Sequence, residues 1–126
     1  MLRPHGIILF AHGARDPAWA QPFQAVRTHV EQLRPDTRVA LAFLEFMPPS
    51  LPEAAQQLAA QGCAEVQVVP LFLGAGGHVR KDLPHLMQAL EKQHPDVRWT
   101  LQPAIGEDPE VIAAMAAVVA RMGRTG

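Results

Sequence analysis

A chain of 126 residues, 48% of them hydrophobic and 18% charged, has material for one buried core and is read as one domain over residues 1–126. Eleven basic residues against twelve acidic leave a net charge of -1, which excludes a generic electrostatic pull toward nucleic acid. A single cysteine, Cys63, excludes a disulfide framework and a cysteine-only metal site. No window holds the ~18–20 apolar residues of a membrane span, and the first residues lack the apolar stretch of a secretion signal; the expected location is cytoplasmic, with no membrane partner.

In chain order, Ile7 to Ala11 forms a first apolar run. A helical stripe follows, Trp19, Phe23, Val26, Val30 and Leu33, which ends near Arg34-Pro35 and predicts one face turned to a sheet. Val39 to Phe46 is a second run. Ser50-Leu51-Pro52-Glu53 then carries a capping-box signature for a helix whose inner stripe is Leu51, Ala54, Ala55, Leu58 and Ala59, with Gly62 at its end. Val66 to Leu73 is a third run. A helix from about Lys81 to His94 turns Leu83, Leu86, Met87 and Leu90 inward and tolerates Pro84 because it falls in the first turn. Val97 to Leu101 is a fourth run, and Asp108-Pro109-Glu110 opens a last helix expected to bury Val111, Ile112, Met115, Val119 and Met122. None of the four runs alternates in the manner of a sheet wetted on one face, so all four read as strands buried on both sides. The sum is an α/β fold, an open four-stranded parallel sheet with helices on both faces, a flavodoxin-like three-layer sandwich.

In such sheets ligands bind at the carboxyl ends of the strands, so the loops after strands one, two and three are where chemistry is expected. Each holds an ionisable group: His12 and Arg15 in the first, Glu45 in the second, His78, Arg80 and Lys81 in the third. His12 and His78 are 66 residues apart in sequence, and no local spacing rule joins them. Strands one and three are expected to be neighbours, which brings both imidazoles to one cleft as ligands for a late first-row metal, unless each is an ordinary loop or helix-entry histidine. Glu45, after an apolar run, is expected in a poorly solvated place where it exchanges protons; the plainer alternative is a solvent-facing carboxylate. Gly74-Ala75-Gly76-Gly77 lets a flat ligand approach the backbone or is simply a flexible turn. It lacks both G-x-G-x-x-G and the Walker lysine, so a nucleotide site fits badly. Arg15, Arg80 and Lys81 are either rim contacts for a polyanion or solvated surface charge. His5, His29, His85, His94 and Cys63 are assigned no role.

Four ordered segments carry a resemblance: Ala11-His12-Gly13-Ala14-Arg15-Asp16-Pro17; Phe43-Leu44-Glu45 with Pro49-Ser50-Leu51; Pro70-Leu71-Phe72-Leu73 with Gly77-His78-Val79 and Asp82-Leu83-Pro84; and Gly106-Glu107-Asp108-Pro109. Together they resemble the small, CbiX-type sirohydrochlorin chelatases over almost the whole chain, and so imply the chelatase-like variant of the fold. The resemblance implies a lyase that inserts Co²⁺ or Fe²⁺ into sirohydrochlorin in cobalamin or siroheme biosynthesis, with a non-catalytic tetrapyrrole or metal carrier as the alternative. Carried over by position, His12 and His78 hold the incoming metal and Glu45 assists as acid/base or third ligand. Arg15, Met47, Gly76, Gly77 and Arg80 then contact the anionic tetrapyrrole. No cofactor is expected to stay bound; the divalent metal, Co²⁺, Fe²⁺ or Ni²⁺, is a substrate. The resemblance also implies a homodimer. Ala14 stands where the family often has serine, and the chain shows no histidine-rich tail.

Overall fold

The structure, a computed structural model, describes residues 3–74 and 76–123. Four strands, β1 (His5–Ala11), β2 (Thr37–Phe43), β3 (Glu65–Pro70) and β4 (Arg98–Leu101), form one parallel sheet in the order β2-β1-β3-β4. The helices among the described residues are α1 (Gln21–Leu33), α2 (Leu51–Ala60), α3 (Gly77–Gln93) and α4 (Pro109–Arg121), with short 3₁₀ turns at Pro17–Ala20 and Ile105–Glu107. The expected α/β architecture is therefore present, and β1 does pair with β3, in a register that sets Leu9 beside Val69.

Alternation along the strands divides the core in two. Ile8, Phe10, Ala40, Ala42, Val66 and Val68 point to the face covered by α2 and α3. Ile7, Leu9, Val39, Leu41 and Phe43 point to the face covered by α1 through Trp19, Phe23 and Val30. The chain leaving β1 thus goes to one face and the chain leaving β3 to the other. Between these two neighbouring strands the sheet has its topological switch point, where diverging connections leave a crevice beyond the carboxyl ends.

Capping chemistry fixes α2. Ser50 accepts from the Glu53 backbone N–H at 3.2 Å while the Glu53 carboxylate accepts from the Ser50 N–H at 2.9 Å. Gly62, just past its end, has φ +87, a conformation open to glycine at little cost.

Several expectations are corrected. β2 stops at Phe43 and β3 at Pro70, so Leu44 to Phe46 and Leu71 to Leu73 are loop rather than strand. The Leu44 amide still donates to the Ala11 carbonyl beside β1, while the Phe43 amide is taken by the Pro49 carbonyl of the returning loop. β3 is not buried on both faces: Glu65, Gln67 and Val69 are only half-covered, and Gln67 spends its side chain on Gln102. α3 begins at Gly77, four residues earlier than expected from its inward stripe and Pro84, which puts Pro84 inside the helix instead of in its first turn; its missing N–H leaves the Arg80 carbonyl without the usual helical donor. Along α1, Val26 is 40% and Leu33 80% exposed. The largest departure is α4, which buries no residue at all: Ile112, Met115, Val119 and Met122, all expected inside, lie exposed. The exposure of Val26 goes with that of α4, because α4 does not lie over the apolar groove that Val26 lines beside β3.

Candidate functional site

His12 is the first residue past β1, at the switch point, and its side chain is exposed. Its ring lies on Phe72, centroids 4.1 Å apart and planes inclined by 33°, while Phe72 is only 2% exposed and packs on Phe10 below. The imidazole is thus stacked on a buried aromatic platform supplied by the loop that follows the neighbouring strand. Leu71 N–H donating to the Phe10 carbonyl at 2.8 Å keeps the two loops in step past the end of the sheet.

Glu45 reaches the same place by backbone pairing. Its N–H donates to the His12 carbonyl at 3.1 Å, one step beyond the Leu44 to Ala11 bond. Gly13 makes that approach possible: at φ +91 a Cβ there would sit 1.9 Å from the Glu45 carbonyl oxygen. The carboxylate is exposed, so Glu45 is not in the poorly solvated place expected of it; the chain has left the buried strand two residues earlier. Next to it Phe46 adopts φ 71, a left-handed conformation that costs a side-chain-bearing residue about 1–3 kcal/mol and tends to persist where a site requires it. Arg15 lies over the Phe46 ring, its guanidinium carbon 4.9 Å from the centroid. The first two loops are therefore clasped together.

The far wall is made by β3 and the turn before α4. Gly106 donates its N–H to the Phe72 carbonyl at 2.9 Å and approaches the Leu73 backbone so closely that a Cβ would lie 1.9 Å from its carbonyl oxygen. Arg80 of α3 pairs with Glu107 at 3.4 Å, both side chains largely in solvent, so the pair orients more than it stabilises. Gly76 is the N-cap of α3 and Gly77 its first residue; neither would meet an atom within 4 Å if it carried a Cβ, which leaves open backbone at this rim. His78 lies on the first turn of α3, but its side chain, like Ala75, falls outside the described residues. Among the described residues no three His, Cys, Asp or Glu side chains converge on one point.

Met47 is partly buried and packs against the α1-side core. Lys81 is exposed on α3. Cys63 is fully buried, and burial pushes its thiol up, in keeping with a small core filler. Phe72 and Gly106 were given no role from sequence. Phe72 sits inside an apolar run that reads as strand interior, and only its position past Pro70 distinguishes it.

The CbiX family model matches residues 6–122, and the chain belongs to that family. The sirohydrochlorin cobaltochelatase of Methanothermobacter thermautotrophicus is 35% identical over 82 residues, 65% of this chain and 57% of that protein. That of Methanosarcina acetivorans is 31% identical over 87 residues, 69% of this chain and 67% of that protein. The chain thus spans only a little over half the length of the first of these relatives. Among solved structures, the putative cobalamin biosynthesis CbiX protein of Marinobacter aquaeolei is 37% identical, with a TM-score of 0.82, covering 93% of this chain and 95% of that one. The SirB protein of Bacillus subtilis with Fe³⁺ is 25% identical, with a TM-score of 0.80, and this chain covers 48% of it.

Proposed function

We propose that the chain is a sirohydrochlorin chelatase, a lyase that inserts Co²⁺ or Fe²⁺ into the tetrapyrrole, working in the cytoplasm as a homodimer. Family membership supports the reaction class, and the similar cobaltochelatases and the Fe³⁺ complex of the Bacillus subtilis protein support the metals. The single observation that carries the reading is the exposed His12 imidazole, seated on Phe72 at the switch point with the Glu45 loop bonded to its backbone.

Insertion has three requirements: the cation sheds water, the macrocycle bends until its nitrogens face one side, and two pyrrolic N–H protons depart as the four ring nitrogens replace the cation's remaining water and protein ligands. Neutral imidazole at His12, joined by His78 from the first turn of α3, takes the cation and offers few enough ligands to release it again. Glu45 and whichever histidine is not ligating accept the protons, help that is typically worth ~10²–10⁴ in rate. Phe46 and the open glycine backbone at 76–77 present flat surface to the ring, while Arg15 and Arg80 meet its peripheral carboxylates in partly solvated pairs of modest energy.

The test is the absorption change of sirohydrochlorin on insertion, followed with Co²⁺ and with Fe²⁺. His12→Ala and His78→Ala are expected to lower the rate at least ~10²-fold, and Glu45→Gln by a similar factor, with unchanged circular dichroism. Tight one-to-one binding of sirohydrochlorin without any acceleration would make the protein a carrier and end the catalytic reading.

A further inference from the structure

We infer that Phe72 is a positioning residue for the insertion proposed above: its ring holds the His12 imidazole in the orientation that presents a cation to the cleft. The inference rests on the chelatase reading and adds to it a buried residue that acts only through its neighbour.

A histidine that ligates a metal ordinarily has its second ring nitrogen pinned by a carboxylate, a backbone carbonyl or water, and that bond fixes the ring. His12 has no such anchor from the protein: among the described residues no hydrogen bond or ion pair reaches its ring. It is also exposed, just past the end of β1, where an unrestrained side chain samples several staggered rotamers. What restrains it is the face of Phe72, 4.1 Å away between centroids and inclined by only 33°. Stacking suits the task. The lone pair of a neutral imidazole lies in the ring plane, so a cation binds at the edge, and contact on one face leaves both nitrogens open.

Phe72 can act as a stop because it is itself immobile. It is buried and packs on Phe10 at a centroid separation of 6.0 Å. Its backbone is tied on both sides. The Leu71 N–H donates to the Phe10 carbonyl at 2.8 Å, on the strand that leads to His12, and the Phe72 carbonyl accepts from the Gly106 N–H at 2.9 Å. Gly106 also presses on the Leu73 backbone, immediately after Phe72. The ring therefore carries the geometry of the sheet to a side chain that lies beyond its end.

A phenylalanine that merely filled the core could be exchanged for another apolar side chain with activity retained. A platform could not. Phe72→Leu keeps apolar burial and removes the flat face, so that only a fraction of molecules holds His12 ready. Both kcat and the affinity for Co²⁺ alone then fall with that fraction. KM for sirohydrochlorin stays where it is, because Phe72 is too deeply buried to reach the macrocycle.

The test begins with the wild-type chain and no ligand. Proton NMR is expected to show the His12 ring protons shifted upfield of those of the other histidines by the ring current of Phe72, the assignment resting on their loss in His12→Ala. In Phe72→Leu that shift is expected to vanish and kcat for Co²⁺ insertion to fall roughly 10–10²-fold, with KM and circular dichroism unchanged. Phe72→Tyr, which keeps a flat ring, is expected to retain most of the rate. An unshifted His12 in the wild-type chain would overturn the inference without any variant having to fold. A Phe72→Leu protein with the wild-type kcat would also overturn it, and would leave the chelatase reading standing. Should the wild-type chain insert no metal, that reading fails, and Co²⁺ titration still decides the positioning: weaker binding by Phe72→Leu supports it, and equal binding ends it.

Discussion

At the residue scale, the cleft depends on close approaches that only particular side chains permit. Gly13 is the sharpest case, because it meets two restrictions together, a left-handed φ and a carbonyl oxygen where its Cβ would be. Gly13→Ala is expected to cost roughly 3 kcal/mol in urea-unfolding experiments, from backbone strain and the forced retreat of the Glu45 loop. Insertion activity is expected to fall with it, since the same retreat moves Glu45 away from His12. A neutral effect on both would mean that the loops are not clasped as described. His12 and Glu45 were legible as candidates because each ionisable group follows an apolar run. The reason Glu45 lies in water was not, because it depends on where β2 leaves the ladder, a matter of pairing with β1.

At the scale of elements, α2 shows local chemistry deciding a structure outright. Its capping box and closing glycine were both readable in advance, since every partner lies within a few residues. Removing the Ser50 hydroxyl, Ser50→Ala, is expected to lower stability by about 1 kcal/mol. Hydrogen bonding from the Ser50 backbone, and next from its side chain, holds the Glu53 carboxyl below its ordinary value of 4.5. A carboxylate lowered in the folded state stabilises the fold fully above that ordinary value and loses the contribution as pH falls through the lowered one. The urea midpoint of the wild-type chain should therefore drop more steeply on acidification than that of Glu53→Gln; parallel acid limbs would remove the box as a source of pH dependence. By contrast, the start of α3 was placed late. Its inward stripe begins at Leu83, whereas the helix begins upstream at Gly77, behind the N-cap Gly76, where glycines carry no pattern.

Across the whole molecule, the homodimer proposed above, with the exposed apolar α4 at its seam, is expected to make stability a property of two chains. Unfolding coupled to dissociation is concentration-dependent by mass action. The wild-type melting temperature is expected to rise as protein concentration is raised a hundredfold, and that of Val119→Glu to stay constant. A wild-type value independent of concentration would place the stability of the described fold in one copy alone.

By itself the sequence determined the element types, their order, the parallel sheet and the loops that bear His12, Glu45 and His78, because periodicity, capping and turn chemistry act over a few residues. Only the tertiary structure decided that Phe72 carries His12, that Gly13 and Gly106 seal the cleft walls, and that α4 departs from the sheet it was expected to cover. Those outcomes depend on which strands pair and where a chain can pass, and hydrophobicity along a helix specifies that a face must be buried without specifying whose surface buries it.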